Sequence, residues 1–158
     1  ITMLNNDILR SVRYILAVGD NKIVEILKLA DQTVTRAEVA GWVKREEEEG
    51  FARCPDTVMA HFLDGLVYYK RGKDQNRLAP PIELPVTNNL VLKKLRVAFE
   101  LKEEDLHAIL DSTGFPISKP ELSALFRKVG HHNYRECGDQ LLRNFLKGLA
   151  QRLRPAQP

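Results

Sequence analysis

Apolar residues recur along the chain at steps of three and four, the spacing that lays them on one face of an α-helix. The segment "DILRSVRYIL" places Ile8, Val12 and Ile15 together with Leu9 and Leu16 beside them. Ile23, Ile26 and Leu27 predict a second helix after Asp20. A third is announced by Thr35-x-x-Glu38, a capping box in which hydroxyl and carboxylate each satisfy a free backbone donor. The fourth starts at "CPD", with Asp56 as its expected N-cap, and carries Val58, Phe62, Leu66 and Tyr69. The second half repeats this order. "LVLKKLRVAF" is followed by the acidic turn "EEDL", by Leu106, Ile109 and Leu110, by the capping box Ser118-x-x-Glu121, and by a last helix from Asp139.

The recurrence is literal. Sliding the chain by 83 positions without a gap pairs Asn5–Arg71 with Asn88–Arg154 and gives 14 identities in 67 positions, where average residue usage gives about 6%. Between the copies lies "GKDQNRLAPPIELPVT", whose prolines at 80, 81 and 85 oppose helix and favour an extended connection. The expected organisation is a first helical repeat over 1–71, a Pro-containing linker over 72–87, a second repeat over 88–154, and a tail over 155–158 that frays.

Residues kept by both copies are read first as what the shared backbone needs. The doubled asparagines, Asn5-Asn6 and Asn88-Asn89, are good N-caps for the first helix of each copy. Cys54 and Cys137 read as small buried thiols, with a reactive or metal-bound pair as the alternative, since a thiolate needs an electropositive niche. Asp56 and Asp139 read as caps rather than general bases. Gly65 and Gly148 sit mid-helix at a cost of about 1 kcal/mol against Ala, which implies close helix approach. Arg13 and Arg96 are expected to pair with a carboxylate of their own copy.

With 158 residues, 44% hydrophobic and 28% charged, the chain has the composition of a soluble globular protein that folds without staples. No apolar run approaches the roughly 20 residues of a membrane span, and no basic-then-apolar leader opens the chain, where Ile1 and Thr2 before Met3 read as vector residues. Two cysteines 83 positions apart match no zinc or thioredoxin spacing, so a reducing, cytoplasmic setting is expected.

Enzyme signatures are missing: there is no Gly-rich phosphate loop, no Gly-x-Ser-x-Gly elbow and no His-Glu-x-x-His helix. No catalytic residue, metal ligand or cofactor is assigned. His131 and His132 are adjacent, and they align with the acidic run Glu46–Glu49 of the first copy as solvated loop residues. A sharper signal is "VTRAEVAGWVKRE", which resembles the second half of a phage-repressor-type helix-turn-helix, with "ISKPELSALFRK" in its place in copy two. In such motifs the second helix enters the major groove, which implicates Arg36, Lys44, Lys119 and Arg127. Against it stand the long connections "KLADQTV" and "DSTGFPI", the four glutamates, and Glu38 beside Arg36. Charge separates the copies: the first has 10 basic and 11 acidic residues, the second 12 and 8. The second copy's surplus, which includes Lys93, Lys94, Arg143, Lys147 and Arg152, reads either as a face for an anionic partner or as an ordinary solvated surface.

The Asn-Asn starts, the Cys-Pro-Asp and Cys-Gly-Asp turns, "FLDGL" before "YYKRGK", "NNLVLKKLRVAF" and "YRECGDQLLRNFLKGL" resemble the YehS-like family of bacterial proteins, over essentially Met3–Arg154. That family is a duplicated domain of unknown function, so the resemblance implies a small bacterial cytoplasmic protein and no activity.

The expectation is therefore an all-α protein of two tandem four-helix repeats, packed about a pseudo-twofold axis. Its leading function is a non-enzymatic binding or regulatory module for a protein or nucleic acid. Arg36, Lys44, Lys93, Lys94, Lys119 and Arg127 are candidates for nucleic acid. Trp42, Arg143, Lys147 and Arg152 are candidates for a partner. The alternatives are nucleic-acid binding through the third helices, and a metal or thiol site at Cys54 and Cys137.

Overall fold

The computed structural model describes residues 3–154. The tail over 155–158 that was expected to fray lies outside them, as do positions 1 and 2. Eight helices and no strand are present among the described residues: α1 (Asn5–Leu16), α2 (Asp20–Leu29), α3 (Arg36–Trp42), α4 (Asp56–Arg71), α5 (Asn88–Ala98), α6 (Glu103–Ser112), α7 (Lys119–Leu125) and α8 (Asp139–Leu153). They form two compact units divided between Val86 and Thr87.

Within the first unit α4 is the centre, packed by α1 and α2, with α3 against α2. In the second, α8 holds the same place against α5 and α6. The cores correspond position by position at the 83-residue offset. Leu9, Ile26, Leu27, Phe62, Leu63 and Leu66 are buried, and so are Leu92, Ile109, Leu110, Phe145, Leu146 and Leu149. The mid-helix glycines shared by the two copies make the central crossing possible: a Cβ on Gly65 would overlap the Ile26 carbonyl oxygen, and one on Gly148 would lie 2.5 Å from that of Ile109. Van der Waals packing at this crossing offsets the cost of a glycine inside a helix.

The paired asparagines are not caps. The N-cap of α1 is Leu4, whose N–H donates to the Asp7 carboxylate at 3.1 Å, and that of α5 is Thr87, whose hydroxyl accepts from Leu90 N–H. The asparagines stand one and two residues inside the helix, where their side chains reach the long connection between the third and fourth helices. Asn6 Nδ2 donates to the carbonyls of Trp42 (2.9 Å) and Ala52 (2.8 Å), and its Oδ1 accepts from Cys54 N–H (3.0 Å). Asn89 repeats this with Leu125, Arg135 and Cys137 at 2.9, 2.8 and 2.8 Å. Asn5 donates to Cys54 O and the Asp56 carboxylate, and Asn88 to Cys137 O and Asp139. An amide has both donors and an acceptor, so one side chain can staple three backbone groups. The expected caps Asp56 and Asp139 are likewise first-turn residues behind Pro55 and Gly138, and they take the asparagine amides.

The predicted arginine pairs divide. Arg13 meets Asp20 at 3.0 Å. Arg96 instead donates to the Leu101 carbonyl and lies over the Phe126 ring, 4.6 Å from its centroid; its copy has Glu103 at the Asp20 position, and that carboxylate lies 4.0 Å from His107 Nε2.

The proline-containing segment stays with the first unit. Lys73 Nζ donates to Leu29 O at 2.7 Å, and Val86 N–H donates to the Asp56 carboxylate at 3.1 Å. Those anchors sit at opposite ends of α4, about 22 Å apart along its axis at 1.5 Å per residue.

Candidate functional site

The connection between the third and fourth helices differs most between the copies in charge, though its skeleton is shared. In both it is fastened by the asparagine staple and by one backbone bond, Ala52 N–H to Gly41 O and Arg135 N–H to Ala124 O, each 3.1 Å. In copy one the loop closes down on α3. A Cβ on Gly41 would come within 3.1 Å of Ala52 Cβ and 3.2 Å of Gly50 O. Lys44 lies over Gly50 and donates to Glu49 O at 2.9 Å, while Arg45 N–H and the Glu48 carboxylate close a turn. Copy two carries Ala124 where Gly41 stands, so a methyl that copy one could accept only if its loop gave by a few tenths of an ångström is present. The loop leaves an open groove of about 470 Å³, lined by Lys119, Pro120, Ser123, Ala124, Arg127 and Asn133.

Both cations of this groove are exposed, and neither side chain makes a hydrogen bond or ion pair among the described residues. The nearest carboxylate in sequence, Glu121, is engaged. Arg135 bonds it, the Ser118 cap holds it, and those hydrogen bonds keep its carboxyl below the usual carboxylate range. Beyond Arg127 the loop exposes Lys128, Val129, His131 and His132. The two imidazoles stack with centroids 4.6 Å apart and planes 19° from parallel, and His131 Nδ1 accepts from Asn133 N–H at 3.0 Å. Between Thr113 and Gly138 there are four lysines and arginines against two glutamates. The matching stretch Ala30–Pro55 has four against six carboxylates.

Of the residues singled out from sequence, Lys119 and Arg127 meet in the groove. Arg36 is exposed at the start of α3 beside Glu38, and Lys44 is spent on its own loop. Lys93 and Lys94 lie on α5, and Arg143 and Lys147 on α8; none lines the groove. Arg152 pairs with Asp105. Trp42 is corrected: it is 6% exposed and packs in the core where Leu125 stands in copy two, so its ring is not presented to a partner. A DNA-reading third helix, the alternative raised by the sequence, falls at α3 and α7. Each has seven residues, about 10 Å of helix, and each buries its last turn through Trp42 or Leu125. Ser123 and Asn133 escaped the sequence reading; the signal was there in the offset comparison, which sets Val129–Asn133 against Glu46–Gly50.

Cys54 and Cys137 are 3% and 5% exposed and belong to different units. Burial first, then the Asp56 charge, pushes the Cys54 thiol up to about 12; burial does the same for Cys137. Such thiols are protonated near neutrality, the opposite of an activated nucleophile or metal ligand. No three His, Cys, Asp or Glu side chains gather as a metal site among the described residues. No helix among them is long and apolar enough to cross a membrane.

The family model described as "Protein of unknown function (DUF1456)" matches residues 5–72 and again 88–154. The chain belongs to this family. The two matched stretches coincide with the two runs of four helices, so the family's unit is the helical repeat itself, present twice. The chain is also 54% identical over 150 residues to "Uncharacterized protein YehS" of Escherichia coli (strain K12), covering 95% of this chain and 96% of that one. No solved structure matches.

Proposed function

We propose that the protein is a non-enzymatic binding module of the bacterial cytoplasm and that the groove of the second repeat is its binding surface for nucleic acid. One observation carries this reading. Two copies of the same scaffold differ here, in that one folds its lysine back onto a loop carrying four consecutive glutamates, while the other has an open groove in which Lys119 and Arg127 face solvent. Cations held in a concave surface away from carboxylates attract phosphodiesters. Ser123 and Asn133 add neutral hydrogen-bonding groups within the same lining.

The test is fluorescence anisotropy of the purified chain with labelled single-stranded and duplex oligonucleotides at low and near-physiological salt. Binding should weaken steeply with salt through counterion release. Lys119→Glu with Arg127→Glu should abolish it, and Arg36→Glu should leave it within about twofold of wild type. Absence of binding at low salt, or binding indifferent to the double reversal, overturns the reading.

A further inference from the structure

Resting on the groove as the binding surface, we infer that its ligand is single-stranded rather than duplex nucleic acid, with a base stacked on the His131–His132 pair and its phosphate between Lys119 and Arg127. Three features of the loop point to this. The imidazoles are both exposed and already stacked on each other, so an unpaired base can extend an existing stack. His131 Nδ1 accepts from the N–H of Asn133, which lines the groove, so the stack adjoins the groove that holds the two cations. Val129, 81% exposed, adds apolar surface to the same segment.

A cationic groove with aromatic faces beside it is the combination that binds single strands without reading sequence. A duplex has its bases stacked internally, so it can use the cations but not the rings. The same segment of copy one shows the contrast. Glu48 and Glu49 occupy the positions of His131 and His132, and they offer a base no aromatic face and a phosphate only repulsion.

The experiment compares three fluorescein-labelled probes of equal length at one low salt concentration: a mixed-sequence single-stranded RNA, the same strand in duplex, and an abasic single strand. The full chain should bind the base-bearing strand about 5- to 150-fold more tightly than the abasic one, the range that base–aromatic stacking supplies. His132→Ala, and separately His131→Ala with His132→Ala, should erase that preference yet bind the abasic strand as wild type does. Both rings are exposed, so thermal unfolding of the variants should match wild type. Equal binding of all three probes overturns this inference while leaving the groove a phosphate site. A preference that survives the double histidine variant overturns it too. Failure of every probe to bind, or binding indifferent to Lys119→Glu with Arg127→Glu, overturns the function on which it rests.

Discussion

Removing the Asn6 side chain tests the physical account of the scaffold most directly. It is wholly buried and makes three hydrogen bonds of 2.8 to 3.0 Å to the backbone of Trp42, Ala52 and Cys54. Each is worth about 1 kcal/mol net, and a buried group left without its partner costs about 1–3 kcal/mol. Two of the three bonds are themselves out of water, so Asn6→Ala should cost about 3–5 kcal/mol. That is a large share of the roughly 5–15 kcal/mol by which a domain is stable. Asn89 makes the same three bonds but is only half-buried, so water can replace part of them and Asn89→Ala should cost about 1–2 kcal/mol. The two units need not unfold together, so the assay is hydrogen exchange read by mass spectrometry on peptides of each repeat, supported by urea unfolding. Asn6→Asp sharpens the test, because it keeps the shape while turning a donor that faces two carbonyls into a carboxylate. Burial raises its folded pKa above the unfolded value near 3.9, so that variant should be least destabilised below about pH 4 and lose stability as pH rises through the folded pKa. An Asn6→Ala cost below about 1 kcal/mol, or one no larger than that of Asn89→Ala, would refute the reasoning.

The close helix crossings predict that Gly65→Ala and Gly148→Ala each destabilise by about 1–3 kcal/mol despite alanine's better helix propensity, because the obstructing atom is a backbone carbonyl that cannot rotate away. Urea titration of each variant measures this, and a stabilised variant would contradict the crossing. For the cysteines, both thiols are pushed up to about 12 in the folded protein, above the unfolded value near 8.5. Their contribution is intact below about pH 8.5 and is lost as pH rises toward 12. The wild type should therefore lose stability over that window more steeply than Cys54→Ala with Cys137→Ala, and at pH 8 both thiols should react with a disulfide reagent far more slowly in the folded than in the unfolded chain. Rapid labelling of the folded chain would mean that the thiols are not buried as described.

The helices were legible because periodicity needs only the order of apolar and polar residues, and the duplication supplied each pattern twice. The capping boxes at Thr35 and Ser118 formed as expected, since cap and carboxylate are three residues apart and the chemistry is local. The asparagine pairs misled for the opposite reason. A side chain that caps its own helix and one that staples a loop 36 to 48 residues away have the same composition and stand within a residue of the same place. Trp42 misled because a lone large aromatic is equally at home in a core and in a binding face, and only the surrounding packing decides. The groove was hidden in small differences. Glycine against alanine at 41 and 124, and a lysine folded back against an arginine left free, change the spacing of a loop without changing any pattern visible along the chain.

Duplication also says where to look for function. A position occupied identically in both copies is most often answerable to the backbone they share, as three pairs show: the identical asparagines hold the loop, the identical glycines admit the carbonyls of Ile26 and Ile109, and the identical cysteines are buried, whereas the identical arginines Arg13 and Arg96 take different partners. A surface where the copies differ is free of that constraint. Copy one uses the freedom to fold Lys44 back onto its own loop and to follow it with four consecutive glutamates, so that its exposed Arg36 and Arg45 share the surface with an acidic run. Copy two removes four of those carboxylates in one stretch and puts two stacked imidazoles among their replacements. A drift toward neutrality would scatter such changes over the surface. Here the lost carboxylates and the exposed rings fall in one loop, joined through Asn133 to the groove of the uncommitted cations, and each of them favours the same kind of ligand.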